Sequence, residues 1–516
     1  MIVGQISIEL SDKKDMNKFE NYKDIHKENS NVYLYKDIVI DIQDMNINTC
    51  TNIFNKKENK LEYILSKLSN RIFARSNVMP IEGDALMELN VHLPRVFASL
   101  NEFQINMLLE TLSGNLSEQI FLLTQPAIET FKEYTKKVVS YEENFPLKIN
   151  LRIDQIELSL FSGGGDQKIK ELTSLCGESL VISLLNFPDD SSEVMLNLKT
   201  LSLYDKAGGE ENKFPKFVET INVDPENPDQ QVIKIFFSET QNLDTFIQVY
   251  IGNVRGNLVP QGVWNLMQLL LPKLVLISPS MDQFKKIQKK TKAKKITNKG
   301  ATFIDLHIDN PQLAILEDST VKETRAIILN CNFNLLYEES IVMNKTININ
   351  LSSIELFKCV LNDPKSKKLC ILENFNISLT HHSINREIDR VHVFIDKMKF
   401  SVARQDYVLI KFLKEKWEKV IKEKPIKLPE KKNTKVINLE NSPNFVKSFF
   451  INFEGISARL IDDSYGHTAS ILSIRMLKSK AEIILSSEIY NILSAKAKFE
   501  LFVDCFNVNK QSWEPM

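Results

Sequence analysis

The sequence predicts a mainly β protein, in which an elongated antiparallel sheet curls into an open groove with one apolar face. Apolar and polar residues alternate with a period of two through most of the 516 residues, which is typical of strands with one dry and one wet face. Glycine (15) and proline (17) are scarce, which favours long elements with few tight turns. Helical periodicity is confined to a few segments, which predicts a few connecting helices.

Composition limits the classes of function. Hydrophobic residues make up 43%, charged residues 25%, and the net charge is -1, which excludes a disordered chain and argues against a nucleic-acid partner. No apolar run reaches the roughly 18 residues that cross a bilayer. Six cysteines lie without a CxxC pair or zinc-finger spacing, and no secretory signal is visible. We therefore expect a cytoplasmic protein with no metal and no cofactor.

The alternation is clearest in 495–505, which predicts one long strand. Elsewhere it runs for two or three apolar residues, skips two positions and resumes. Because a slip of one residue would turn every later side chain to the opposite face, we expect a β-bulge at each skip. The skipped pairs are Asp154-Gln155, Lys199-Thr200, Gly252-Asn253, Ser352-Ser353, Asp396-Lys397 and Glu454-Gly455.

Helical spacing occurs in 101–120, 261–272 and 404–423. Five strand candidates lie between each successive pair of these helices, so the predicted repeat is five strands and a helix-bearing connection. An odd number of up-and-down strands leaves the chain on the far side of the sheet, so the connection must carry it back. The strand candidates are 147–161, 172–185, 194–204, 231–238 and 245–259, then 302–316, 325–337, 345–360, 369–380 and 390–403.

The repeat predicts four groove units. The first, 1–145, is irregular, and the last, 446–516, is the start of a further unit that is incomplete. The two between them each end in a helix and a charged linker. They are 146–300, with helix 261–272 and the lysine-rich linker 281–300, and 301–445, with helix 404–423 and the linker 424–445.

The apolar members of the alternating segments are expected to line the groove. The alternative is the inner face of a β-sandwich, where the same alternation packs on a second sheet. The predicted lining residues are Leu89, Val91, Leu93, Ile149, Leu151, Ile153, Ile156, Leu158, Leu160, Leu196, Leu198, Ile247, Val249, Ile251, Ile304, Leu306, Ile308, Ile347, Ile349, Leu351, Val393, Ile395, Phe400, Phe449, Ile451, Phe453, Phe499, Leu501 and Val503.

Catalytic patterns are lacking in the sequence. His381-His382 is expected in a solvated loop after a strand, without a third metal ligand at useful spacing. No nucleophile elbow and no HExxH motif occurs. The basic run 285–299 could contact anionic headgroups or nucleic acid, but it lacks interleaved aromatic residues and is most simply a solvated linker. The sequence therefore predicts a protein that is not an enzyme.

Several stretches resemble the vacuolar protein sorting-associated protein thirteen family, whose relatives include the autophagy lipid-transfer proteins of the chorein type. They follow one another in the family's order through residues 90–516. The matching stretches are Gln104–Glu118 (QINMLLETLSGNLSE), Asn310–Asp318 (NPQLAILED) with Arg325–Leu329 (RAIIL), Ile354–Leu361 (IELFKCVL) and the Trp-Glu-Pro segment Phe506–Pro515 (FNVNKQSWEP).

The resemblance implies a repeating β-groove that carries glycerophospholipids between organelle membranes at contact sites. It also implies a peripheral location at those sites, with phospholipids and organelle membrane surfaces as partners. The family's N-terminal chorein segment and its adaptor-binding and membrane-binding modules have no counterpart here, so we expect a conduit without its ends. The alternative function is a rigid tether or protein-interaction scaffold, whose apolar face is filled by protein.

Overall fold

The computed structural model describes residues 5–11, 35–49, 62–77, 85, 87–102, 104–105, 146–162, 170–187, 189, 191–209, 211–221, 230–268, 270–271, 300–340, 344–363, 365–384, 388–423, 446–462, 469–486, 492–498, 500–507, 510 and 512–515. Most of these residues are in strands, so the predicted mainly β class with few helices is confirmed. The chain divides into two compact units. The first contains 1–207, 233–243 and 268–298, and the second contains 208–232, 244–267 and 299–516.

The described strands are β1 Gln5–Ser11, β2 Tyr35–Thr49, β3 Glu62–Asn77, β4 Met87–Asn101, β5 Leu147–Ser162, β6 Lys170–Asn186, β7 Ser192–Asp205, β8 Lys216–Thr220, β9 Ile233–Glu239, β10 Thr245–Gly252, β11 Val254–Leu258, β12 Thr302–Asp309, β13 Gln312–Leu316, β14 Arg325–Glu339, β15 Lys345–Val360, β16 Leu369–Ile384, β17 Ile388–Ile395, β18 Met398–Ala403, β19 Val446–Phe453, β20 Ile456–Asp462, β21 Ala469–Met476, β22 Ser479–Ser486, β23 Ile492–Lys498, β24 Leu501–Asn507 and β25 Ser512–Pro515. Helix α1 covers 260–268, and helix α2 is Arg404–Glu423.

Strand order in the first unit follows the chain from β1 to β7, with β9 beside β7. In the second unit β10 and β11 lie beside β12 and β13, and the order continues through β14, β15 and β16 to β17 and β18. From there β19 and β20 lead to β22 and β21, and these to β23 and β24. The strands predicted in 147–259 and 302–403 are confirmed within a few residues, except that 245–259, 302–316 and 390–403 each form two consecutive strands instead of one.

Parallel pairs interrupt the antiparallel order where a helix-bearing connection was predicted. β4 pairs in parallel with β5, β10 and β11 with β12 and β13, and β17 and β18 with β19 and β20. The prediction of an antiparallel sheet throughout is therefore wrong at these pairs. The physical reason is the one that predicted the connection. The chain returns to the end of the sheet at which the preceding strand began, so the next strand runs parallel to that strand.

The skipped positions disturb the strand ladders as predicted. In the first unit Ile153 pairs with Leu180 and Gln155 with Glu178, whereas the pair between Asp154 and Ser179 is missing. The ladder from β6 to β7 likewise lacks the pair between Ser179 and Lys199. Ser179 has a φ of 54°, in the left-handed region. The register is the same before and after the missing pairs, so the prediction of an extra residue is wrong here. The neighbouring strands bend at the same position, and no residue is added to either.

In the second unit the defects coincide with backbone in the left-handed region. Asn253, Asn310 and Ser353 have φ values of 54°, 49° and 55°, and Gly455 has 117°. Asn253 and Gly455 lie between consecutive strands, and the gap between β17 and β18 covers the skip at 396–397. Next to Ser353 the register shifts by one residue in both the β14–β15 and the β15–β16 ladder, so a true bulge is confirmed there. The β15–β16 ladder shifts twice more between Ile354 and Phe357.

The single strand predicted over 495–505 is wrong. The chain instead forms β23, which ends at Lys498, and β24, which begins at Leu501, and Phe499 lies outside the described residues. Their partners are the consecutive strands β22 and β21, which also separate, at 477–478. Alternation within one segment does not reveal a bend that the neighbouring strands of the sheet impose.

Helix α2 matches the prediction for 404–423 at both ends. Asp406 accepts a hydrogen bond from the backbone N–H of Ala403 at 2.7 Å, which satisfies a donor at the start of the helix. Leu409, Leu413 and Val420 are buried on one stripe. Predicted helix 261–272 corresponds to 260–268 and 270–271, and of predicted helix 101–120 the described residues 102 and 104–105 are helical.

Candidate functional site: an apolar face across the strands

In the first unit, aliphatic residues of successive strands align in transverse rows. Each row crosses β2, β3, β4, β5, β6, β7 and β9. One row contains Ile40, Ile72, Val91, Leu151, Ile182, Leu196 and Ile235. The next row contains Ile38, Ala74, Leu89, Ile149, Leu184, Val194 and Phe237. Because residues paired across a ladder point to the same side of a sheet, each row is a continuous apolar band.

The second unit repeats this arrangement from β10 to β19, and one of its rows continues into β22. One row contains Val249, Leu306, Leu335, Ile349, Leu379, Val393, Ile451 and Ala481. The next contains Ile251, Ile308, Phe333, Leu351, Ile377, Ile395 and Phe453. The register thus brings the predicted lining residues of β10, β12, β15, β17 and β19 to one face of one sheet.

The face stays apolar beyond the skipped positions of the second unit. Strand β14 has no residue with positive φ, so Ile327 and Leu329 share a face with Phe333. Leu329 pairs with Leu356, and Phe333 pairs with Leu351, on either side of the bulge in β15. The row beyond the skip contains Leu313, Leu329, Leu356, Leu372, Phe400, Ala458, Ile474 and Val503.

The first unit shows the same continuity through Gly177. A Cβ at Gly177 would lie 3.3 Å from Cδ1 of Leu198, so the two residues face the same side. Gly177 pairs with Ile156 and with Leu201. The predicted lining residue Ile156 therefore shares its face with Leu198, which lies before the skip.

The exposure of the predicted lining side chains distinguishes an open groove from the inner face of a β-sandwich. Among the predicted lining residues that the structure describes, only Ile153 and Leu198 are buried, and Ile451 is 37% exposed. The inner positions of a sandwich would be buried by the second sheet. The described strands of each unit instead belong to one sheet, and their aliphatic rows remain accessible from one side.

The opposite face is polar. In the first unit one of its rows contains Asp41, Arg71, His92, Arg152, Val181, Asn197 and Lys234. Arg71 pairs with Asp41 at 3.0 Å, and Asp154 accepts from His92 at 2.8 Å and from Arg152 at 2.9 Å. The hydrogen bonds from His92 and then Arg152 lower the pKa of Asp154. These pairs are well exposed and add little stability, but they make this face unsuited to acyl chains.

Histidines occupy the strands of the second unit. His381-His382 lies inside β16, so its predicted placement in a loop is wrong, because β16 continues to Ile384 and pairs with β15 and β17. His381 contacts Asp389 at 3.5 Å. Among the described residues no group of three or more His, Cys, Asp or Glu side chains could hold a metal ion.

Burial raises the pKa of the Cys176, Cys331 and Cys359 thiols. A raised pKa reduces the fraction of the nucleophilic thiolate at neutral pH. Burial and the nearby carboxylates of Glu355 and Glu373 likewise raise the pKa of Cys370. These thiols are therefore poor nucleophiles in their present surroundings.

Helix α2 lies on the apolar face. Its buried residues Leu409 and Leu413 pack against Ile327, with Ile315 and Leu356 alongside. Ile327 and Leu356 belong to the apolar face by their pairing. The helix therefore covers one part of that face, which periodicity within 404–423 could not reveal.

Sequence reasoning missed many members of the rows. Leu335 and Leu379 complete the row through Ile349, and Phe333 and Ile377 complete the row through Leu351. They lie in the predicted strands 325–337 and 369–380, so the alternation was visible. What was lacking was the register that places them beside the chosen residues.

Among the described residues no helix is long and apolar enough to cross a bilayer. No family model matches the chain, and no curated protein matches it. Among solved structures, a sex pheromone precursor from Lactobacillus salivarius subsp. salivarius shares 9% identity with it. That comparison covers 54% of this chain and 67% of the other, with a TM-score of 0.08. Such a likeness carries no argument, and the resemblance to the vacuolar protein sorting family stays a prediction.

Proposed function

We propose that the chain carries glycerophospholipids along its apolar face, as one segment of a lipid conduit between organelle membranes. The observation that supports this proposal is the pair of fully apolar transverse rows through Leu151 and Ile349, whereas the neighbouring row through Ile347 also contains Tyr337 and His381. In the second unit the row through Ile349 crosses eight strand positions without a polar side chain. An acyl chain on such a face meets similar surroundings at each strand, so no deep local site holds it in place.

The energetics require a continuous lining. Each buried methylene contributes about 0.8 kcal/mol, so keeping the two acyl chains of a phospholipid out of water is worth roughly 20 kcal/mol. A single polar or charged position on the path would cost several kcal/mol, because an acyl chain offers no hydrogen bond. The aliphatic side chains are half-buried, and among the described residues no second layer of secondary structure covers most of them. Such a face suits a transient occupant.

The contrasting function is a tether or scaffold whose apolar face is covered by protein. A scaffold tolerates a charge that its protein partner can pair, whereas a conduit does not tolerate an unpaired charge on the path. A charged band across the face therefore separates the two. Such a band must include β16, because Leu379 lies between Ile349 and Val393, and Ile377 lies between Leu351 and Ile395.

The test places aspartate at all six positions of this band: Ile349, Leu351, Ile377, Leu379, Val393 and Ile395. Transfer of fluorescent phosphatidylcholine between donor and acceptor vesicles is measured, together with lipid that copurifies with the chain. A matched control places aspartate at six positions on the opposite face of the same three strands: Asn348, Asn350, Ser378, Thr380, His392 and Phe394. Circular dichroism verifies that each variant is folded.

We expect the band to abolish transfer and the control to keep it. The sheet should survive the band, since a charged side chain on an open face can still reach water. Undiminished transfer by a folded six-aspartate variant would contradict conduction and favour the scaffold. A wild-type chain that neither copurifies with lipid nor transfers it would contradict the proposal directly.

A further inference from the structure

Helix α2 is fastened near one edge of the apolar face. Asp406 forms an ion pair with Lys358 of β15 and is 3% exposed. Nζ of Lys416 donates to the backbone carbonyl of Glu317, just after β13, at 2.9 Å. The contacts thus pass from β15 to β13 as the helix proceeds, so α2 runs across the strands near the edge where β13 and β15 end.

The two flanks of α2 face different surroundings. Gln405 and Leu409 line a cavity of 330 Å³ together with Asp363, Ser366 and Lys367, which belong to the loop after β15. The flank that carries Gln405 therefore faces the strand ends. At 100° per residue, Lys416 lies on this same flank, in agreement with its bond at Glu317.

The opposite flank consequently faces the middle of the strands. Tyr407, Ile410, Trp417 and Ile421 lie within one stripe on it, because their spacing of three, seven and four residues follows the helical repeat. Tyr407 is 63% exposed, Ile410 41% and Ile421 43%. We call this stripe the inner flank. It faces the apolar row through Leu356.

Lys414 lies on the inner flank between Ile410 and Trp417, with its side chain 74% exposed. Its carboxylate neighbour is Glu418 at 3.7 Å, an exposed contact one turn away that leaves the ammonium free to move. The whole helix carries six Lys or Arg and four Asp or Glu. An apolar stripe with a flexible lysine in it complements a phospholipid, whose tails are apolar and whose phosphate is anionic.

We propose that the inner flank of α2 and the row through Leu356 form the two walls of an acyl-chain channel, with Lys414 at its rim to contact the lipid phosphate. This inference rests on the proposed function and adds a second wall to the path. Both walls present apolar side chains. A polypeptide seated between them would bury backbone N–H and C=O groups without partners, whereas an acyl chain has none to satisfy.

The experiment uses phosphatidylcholine with a photoreactive diazirine at the end of one acyl chain. The full chain is loaded from vesicles of this lipid, irradiated and digested, and the labelled residues are mapped by mass spectrometry. We expect label on the inner flank of α2 as well as on the row through Ile349. Label on that row without label on α2 would overturn this inference and leave the proposed function standing. Label on neither would overturn both.

A variant pair tests the orientation of the helix. Ile410→Ser combined with Ile421→Ser removes aliphatic contacts from the inner flank, so the label on α2 should fall about tenfold, the factor that corresponds to about 1.4 kcal/mol. The matched control, Val408→Ser combined with Phe412→Ser, changes exposed apolar residues outside this flank and should leave the label unchanged. Equal loss in both variants would contradict the assigned flank. The wild-type map decides the proposal even if a variant fails to fold.

Discussion

The side chain of Leu198 packs over Gly177, with its Cδ1 3.3 Å from the position that a Cβ would occupy there. Leu198 belongs to the part of β7 before the skipped position, and Gly177 belongs to the part of β6 on the other side. This contact keeps the apolar face continuous past the position at which the β6–β7 ladder lacks a pair. Glycine is the residue that leaves room for it.

Replacement of Gly177 by valine should therefore destabilise the chain. The added methyl groups would meet Leu198 and the carbonyl oxygen of Thr200, which is 3.5 Å from the same Cβ position. We expect a loss of about 1–3 kcal/mol in the free energy of unfolding, as for other overpacked sites. Urea unfolding measures this loss.

Leu198→Ala supplies the control for this prediction. In the Gly177→Val background it removes the clash, so the two changes should cost less together than the sum of their separate costs. Strict additivity of the two free-energy changes would show that the side chains do not share the space.

Ser353 should resist substitution by a β-branched residue because its φ is 55°. A side chain with a branched Cβ is poorly accommodated in the left-handed region, which costs about 1–2 kcal/mol for residues other than glycine. Serine already bears this cost, so Ser353→Gly should raise the free energy of unfolding by about 1 kcal/mol, whereas Ser353→Val should lower it because the branched Cβ adds further crowding. Ser352→Val is the matched control, since Ser352 has no positive φ. Equal losses at both positions would contradict a role for the backbone conformation.

His307 should stabilise the fold more in mild acid than in mild base. Burial lowers its pKa, but hydrogen bonds with Asn334 and Asp305 outweigh this effect, so the pKa is raised overall. The ring nitrogens lie 2.9 Å from Oδ1 of Asn334 and 2.7 Å from Oδ1 of Asp305, so both can donate when the ring is charged. Asp309 also favours the charged ring.

A raised pKa means that the folded state binds the proton more tightly than the unfolded chain does. The contribution is present in full below the unfolded value of about 6.5 and is lost as pH rises through the folded value. A proton NMR titration should place His307 above its ordinary value, and Asn334→Ala should lower it. A titration of the wild-type ring at or below the ordinary value would contradict the hydrogen-bonded arrangement.

The sequence by itself determined where the chain alternates and where the alternation skips. Strand position, skipped pairs such as Ser352-Ser353 and the helix at 404–423 are local properties, because side-chain direction follows from backbone period within one element. An aliphatic face along each strand was therefore readable without a partner. The need for a returning connection also followed from the odd number of strands.

Only the tertiary structure decided how these elements meet. Pairing in register placed Leu379 between Ile349 and Val393, and it set the parallel pairs at the helix-bearing connections. It also divided 495–505 into two strands and laid α2 over Ile327 on the apolar face. The physical reason is that register and packing depend on contacts between residues far apart in the chain, and such contacts leave no periodic signal in either segment.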